Sequence, residues 1–133
     1  MAYSSISRYM KAACGTNIET VHIMKGVIMA QHVTVGDFEK EVLESALPVL
    51  VDFYADWCGP CKMMSPVVDS LAESMADKIK ICKCDVDTDN AIAEKYGIMS
   101  IPAFIIFKGG QPAAQQVGAT SPDAFKKWIE ENI

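Results

Sequence analysis

The run Val49-Leu50-Val51-Asp52-Phe53-Tyr54-Ala55 is apolar or aromatic at every position but Asp52, the pattern of a buried strand. Upstream, His32-Val33-Thr34-Val35 predicts a short edge strand. Thr34-x-x-Asp37 is a capping box for a helix to about Ser45, with Phe38, Val42 and Leu43 on one face. Downstream, Met63, Met64, Val67, Val68, Leu71 and Met75 recur at helical spacing and predict a long helix to about Ala76, with Pro66 inside it. Most of these side chains are expected in the core, with those at the helix start lining a rim. Ile79 to Val86 reads as a third strand, and Asn90 to Tyr96 as a short helix stopped by Gly97. Ala103–Phe107 and Ala113–Val117 flank Lys108-Gly109-Gly110-Gln111, a hairpin signal. Ser121-Pro122 then opens a last helix to about Asn132. The order β-α-β-α-β-α-β-β-α requires parallel pairing through crossovers and then an antiparallel hairpin. The expected fold is therefore α/β, a central mixed sheet flanked by helices on both faces.

The first 30 residues fall outside that pattern, so the chain divides into an extension, 1–30, and a domain, 31–133. Arg8, Lys11 and Lys25 stand against one acid, Glu19, a composition with some likeness to an organellar transit peptide. The continuous apolar core of a secretory signal is absent. Thr16-Asn17-Ile18-Glu19 fits a capping box, and Gly26 could end a short helix after it. Met29 offers a second starting point. At 133 residues the chain is long enough for one ordinary core. A hydrophobic share of 50% with a net charge of −5 describes a soluble acidic protein and argues against nucleic acid as its main partner. No apolar run approaches the roughly 20 residues of a membrane span. An odd count of five cysteines tilts the expectation towards a reducing, cytoplasmic compartment.

The candidate chemistry lies between the buried strand and the long helix, at Trp57-Cys58-Gly59-Pro60-Cys61. Pro60 has its φ preset for a first helical turn, so Cys58 falls near the helix N-terminus. Free N–H groups and the helix dipole there stabilise a thiolate, the species that attacks disulfides. Cys61, one turn further in, is placed to resolve a mixed disulfide on Cys58 intramolecularly. A structural disulfide or half a zinc site is the plainer alternative, but C-x-x-C beside a β-α pattern is a redox signal.

Asp52-Phe53-Tyr54-Ala55-Asp56-Trp57-Cys58-Gly59-Pro60-Cys61-Lys62 resembles the active-site segment of the thioredoxin family. The likeness runs from about Val33 to the C-terminus through Lys83, Asp85-Val86-Asp87, Tyr96-Gly97-Ile98, Ser100-Ile101-Pro102, Phe107-Lys108-Gly109-Gly110 and Val117-Gly118-Ala119. Tyr54 departs from it, since the family more often carries a second Trp there. The resemblance implies the thioredoxin fold and a protein-disulfide reductase that carries two electrons as a dithiol. It implies that Asp52 lies behind the cysteine pair as a proton relay for Cys61, with Lys83 tuning it. It also implies a cis bond at Ile101-Pro102 facing the pair. Trp57, Gly59, Pro60, Val86, Ile101, Pro102, Val117, Gly118 and Ala119 would form the apolar docking surface. A flavin-containing, NADPH-dependent thioredoxin reductase would recharge a monomer that needs no bound cofactor or metal. Clients would be disulfide-containing proteins such as ribonucleotide reductase, peroxiredoxins and methionine sulfoxide reductases.

Asp52 also stands out unaided, because a carboxylate inside an apolar strand is costly to ionise and its pKa should rise. Cys82 and Cys84 share one face of their strand. Their Cα separation of roughly 6.5–7 Å is at or beyond the reach of an unstrained disulfide, so they read as buried small hydrophobes. His22 and His32 are expected at the surface, and Cys14 as an exposed thiol in the extension. Two other functions share these features: a disulfide oxidase or isomerase, which Gly59-Pro60 argues against, and a non-enzymatic partner subunit. Replacing both cysteines by Ser would leave only the latter intact.

Overall fold

The computed structural model describes residues 29–133. The Thr16–Glu19 capping box, Gly26, Cys14 and His22 therefore lie outside the described residues, as does most of the proposed extension. The elements are β1 (Gln31–His32), a single π-helical turn α1 (Glu39–Leu43), β2 (Val49–Tyr54), α2 (Gly59–Ser74) and β3 (Lys80–Asp85), then α3 (Asn90–Lys95), β4 (Ala103–Lys108), β5 (Gln111–Val117) and α4 (Pro122–Asn132). Their order is the expected one.

The five strands form one mixed sheet in the order β1-β3-β2-β4-β5. β3 runs parallel to both β1 and β2, and β4 runs antiparallel to β2 and β5. On one face, Leu50, Ile81, Phe104 and Ile106 pack against Met64, Val68 and Leu71 of α2 and Phe125 and Ile129 of α4. On the other, Val49, Val51, Phe53, Ile105 and Phe107 pack against Phe38 and Val42 near α1 and Ile92 and Ala93 of α3. Helices thus cover both faces, as the element order requires. Met64, Val68, Leu71 and Met75 are core, whereas Met63 is exposed.

Two boundaries that differ from expectation do so for separate reasons. The edge strand stops at His32 rather than running to Val35, although Val33 N–H still bonds Lys83 O at 2.8 Å. The next N–H groups are captured by carboxylates, Thr34 by Asp37 Oδ1 at 2.6 Å and Val35 by Asp89 Oδ1 at 3.0 Å. Side-chain acceptors thereby end the ladder. The following helix is a single turn because Glu44 N–H reaches back five residues to Glu39 O, and the Ser45 hydroxyl turns onto Leu47 O. Other termini follow the sequence: Ser121 Oγ caps Ala124 N–H at 3.2 Å. Gly109 and Gly110 adopt φ of 60° and 81°, as a tight hairpin needs. A Cβ on Gly110 would lie 2.9 Å from Leu43 O, so the hairpin tip is held directly against the end of α1.

Hydrophobic patterning gave no sign of one feature. Lys80, at the start of β3, is 2% exposed and Glu41 of α1 is 3% exposed. Lys80 Nζ meets Glu41 Oε1 at 2.9 Å and also donates to Glu41 O. A buried charge is tolerable only with such pairing.

Candidate functional site

β2 delivers the chain to a turn in which Cys58 N–H bonds Ala55 O at 3.2 Å. Cys58 is the N-cap of α2, in extended conformation (φ −87°, ψ 112°), with Pro60 in the first turn. Its sulfur takes the place of a capping oxygen and accepts the Cys61 N–H at 3.2 Å. Cys58 and Cys61 are joined as a disulfide across a Cα–Cα distance of 5.2 Å, and each is only 4% exposed. On reduction, the same N–H and the helix N-terminus would favour negative charge on Cys58. Facing the pair, the Ile101–Pro102 bond is cis and Ile101 O lies 3.9 Å from Cys58 Sγ. Among the described residues no group of three or more His, Cys, Asp or Glu side chains could hold a metal ion.

Asp52 is buried on the α2 face of the sheet, 2% exposed, and its Oδ1 has no hydrogen-bond partner among the described residues. Burial pushes its carboxyl up to about 7, opposed by the positive charge of Lys83 and reinforced by Asp69. Asp52 and Lys83 are direct partners in the β2–β3 register. The Lys83 ammonium nevertheless bonds Ser65 Oγ of α2 at 2.9 Å and stands 5.1 Å from the centre of the Tyr54 ring. Lys83 therefore acts on Asp52 through its field. Beside this row lies a cavity of about 230 Å³ whose lining includes Cys61, Ser65, Lys83 and Tyr54.

The raised carboxyl has a pH consequence. The folded protein binds the Asp52 proton more tightly than the unfolded chain, whose carboxyl titrates near 3.9. Stability from this group is complete below about pH 4, declines by at most about 1.4 kcal/mol per pH unit up to the folded value, and levels off above about 7. Asp52→Asn should lack that decline and be as stable as the wild type, or more so, at pH 7–8. Urea melts from pH 4 to 8 check this; parallel profiles for both proteins would mean that Asp52 ionises without cost.

The expected docking residues sort by exposure. Trp57 is 70% exposed and its Nε1–H donates to Asp87 Oδ2 at 2.8 Å. Gly59, Pro60, Val117 and Ala119 are exposed, while Val86, Ile101 and Gly118 are half-buried. Pro102 is buried, and its carbonyl accepts Gly118 N–H at 2.8 Å, tying the cis loop to the end of β5. Sequence reasoning missed Met99, 94% exposed and next to Ser100-Ile101-Pro102, a large apolar side chain left in solvent. It also missed the tether from Asp87 to Trp57, which no spacing rule announces. Cys82 and Cys84 are both in the core on the far face of the sheet, and burial pushes the Cys84 thiol up to about 12. A thiol so hard to ionise is a poor nucleophile. His32 is exposed as expected, yet Tyr54 Oη lies 3.0 Å from its Nδ1.

A closed cysteine pair at a helix N-terminus, with the cis Ile101–Pro102 bond facing it and a buried carboxyl in the strand that leads into it, is built to exchange electrons with other disulfides. A family model described as thioredoxin matches residues 29–131. The thioredoxin of Rickettsia felis is 44% identical over 105 residues, covering 79% of this chain and 100% of that protein. Thioredoxin 1 of Nostoc sp. is 46% identical over 104 residues, covering 78% of this chain and 97% of its own length. The thioredoxin of Haemophilus influenzae is 44% identical over 102 residues, covering 77% and 95%.

Proposed function

This chain belongs to the thioredoxin family and exchanges dithiol for disulfide as a protein-disulfide oxidoreductase, and on that premise we propose how its site divides the work. Cys58 attacks the client disulfide, Cys61 resolves the mixed disulfide, and Asp52 accepts the Cys61 proton. The observation that carries the assignment is the position of Cys58 Sγ as the helix cap, accepting the Cys61 N–H. Trp57, Gly59, Pro60, Val86, Ile101, Val117, Gly118 and Ala119 form the rim against which an extended client segment docks, with Pro102 shaping it from beneath. Ile101 offers its backbone at the rim for strand-like pairing with that segment.

An NADPH-dependent flavoprotein reductase recharges the pair, and disulfide-bearing proteins are its clients. A reducing compartment such as the cytoplasm suits the odd cysteine count. Among the described residues no helix is long and apolar enough to cross a membrane. Equilibration of the Cys58–Cys61 pair with a thiol buffer of known potential tests the direction of electron flow. The expected result is a potential near the roughly −270 mV characteristic of thioredoxins, a property of the family and not a value obtained from this geometry. A potential close to about −120 mV, that of a strong oxidant, would overturn the reductase assignment.

Residues 1–30 are an appendage in this reading, with 31–133 as the working domain. A chain starting at Met29 should fold and reduce disulfides at close to the full-length rate. A stability loss beyond about 1–2 kcal/mol would mean instead that the first 28 residues pack on the domain.

A further inference from the structure

The α2 face of the sheet carries a polar row that crosses three strands. Asp52 of β2 pairs in register with Lys83 of β3, and Lys83 pairs with His32 of the edge strand β1. Tyr54, two residues beyond Asp52, shares its face and lies in register with Asp85. The row starts at a buried carboxyl and ends at an exposed imidazole. Above it, His32, Tyr54, Lys83, Ser65 and Cys61 line the same 230 Å³ cavity. Tyr54 Oη and His32 Nδ1 are 3.0 Å apart with their rings edge to face, and Lys83 Nζ spans from the Tyr54 ring to Ser65 Oγ.

We propose that Tyr54 and His32 form the exit of the proton route from Cys61 and Asp52, with His32 exchanging the proton with solvent at the sheet edge. This inference rests on the reading of Asp52 as the acceptor. As Cys61 loses its thiol proton to Asp52, its sulfur attacks Cys58 Sγ. The Cys58–Cys61 bond forms, the bond from Cys58 to the client sulfur breaks, and the client leaves as a thiolate that takes its proton from solvent. Asp52, in register beside Lys83, whose side chain lines the cavity, then returns to the carboxylate by giving up its proton on that side. The Tyr54 oxygen receives a proton from that side while its own hydroxyl proton passes to His32 Nδ1, and His32 sheds one from Nε2. Tyr54 never persists as a phenolate, which its pKa of about 12 would forbid near neutrality.

His32 touches no reacting sulfur and is a positioning residue. It must be neutral to accept from Tyr54, and its surroundings favour that form. Partial desolvation of the ring against the sheet and Lys83 of β3 lower its pKa, against Asp69 of α2, Asp85 of β3 and Asp56 after β2, which raise it. The tyrosine is the second requirement, since a Trp at position 54 would offer a ring N–H but no atom that can both accept and donate.

The test is the rate of disulfide closure after the reduced protein is mixed with a small disulfide substrate in weakly buffered solution, with folding verified by thermal melts. His32→Ala should slow closure about 5–10-fold, less than the 10² or more expected for loss of a direct acid–base group. Free imidazole at millimolar concentration should restore the rate, because the cavity opens where the side chain was. Tyr54→Phe should be equally slow and should not respond to imidazole. His32→Ala at wild-type speed, or slow but unresponsive to imidazole, would overturn the exit route while leaving Asp52 as acceptor, provided Asp52→Asn is slow. Asp52→Asn at wild-type speed would instead remove the acceptor, and with it the route.

Discussion

Cys58→Ser should reduce no client disulfide at a measurable rate, while Cys61→Ser should hold clients as stable mixed disulfides. The asymmetry follows from where the two sulfurs sit. Cys58 caps α2, so its sulfur accepts the Cys61 N–H at 3.2 Å and occupies the positive end of the helix dipole. Cys61 lies one turn further in and beside the cavity. A serine hydroxyl at position 58 keeps the cap but has no thiolate to offer, so the first exchange is lost entirely. A serine at position 61 leaves that exchange intact and removes the group that would release the client. Release then depends on thiols from solution, against an intramolecular effective molarity that reaches about 10⁵ M or more in well-oriented systems. Mass spectrometry of Cys61→Ser after exposure to a disulfide substrate should show one adduct, on Cys58. In the reduced wild type, alkylation at pH 7 should modify Cys58 well ahead of Cys61; the reverse order would exchange their roles.

The sequence disclosed the parts of this site that local rules govern. Pro60 and the C-x-x-C spacing placed Cys58 at a helix N-terminus, and an acid inside an apolar strand marked Asp52. The hairpin at Gly109-Gly110 and the cap at Ser121 were equally legible, because each depends on a few adjacent residues. The cis bond at Ile101–Pro102 was not local in this sense, and only likeness to a known family suggested it. Contacts between distant residues stayed hidden. Trp57 bonds Asp87 and Tyr54 bonds His32, pairs 30 and 22 residues apart, and neither has a periodicity to betray it. The edge strand ended early because carboxylates took its next N–H groups: Asp37 took that of Thr34, as the capping box in the sequence expects, while Asp89, 54 residues away, took that of Val35, which no local rule announces.

Lys80 belongs with the hidden contacts, and it carries the largest expected effect on stability. Lys80→Ala should lower the unfolding free energy by about 3–5 kcal/mol, the usual cost of leaving one member of a buried ion pair alone. Its ammonium is the only group with an ion pair to Glu41 among the described residues, and both side chains are almost wholly removed from water. Such a loss is a large part of the roughly 5–15 kcal/mol that holds an ordinary domain together. The pair lies between β3 and α1, on the face with Val42, Cys82 and Cys84 and away from the cysteine pair over α2. Disulfide reduction by folded Lys80→Ala should therefore match the wild type at low temperature. Urea titration should show a lower midpoint with an unchanged slope, the mark of lost stability without a change in the surface exposed on unfolding. The double replacement Lys80→Met with Glu41→Leu should recover most of the loss, because apolar groups of similar volume need no partner. A Lys80→Ala loss below about 1 kcal/mol, the range of exposed pairs, would mean that water reaches Glu41 once the lysine is gone.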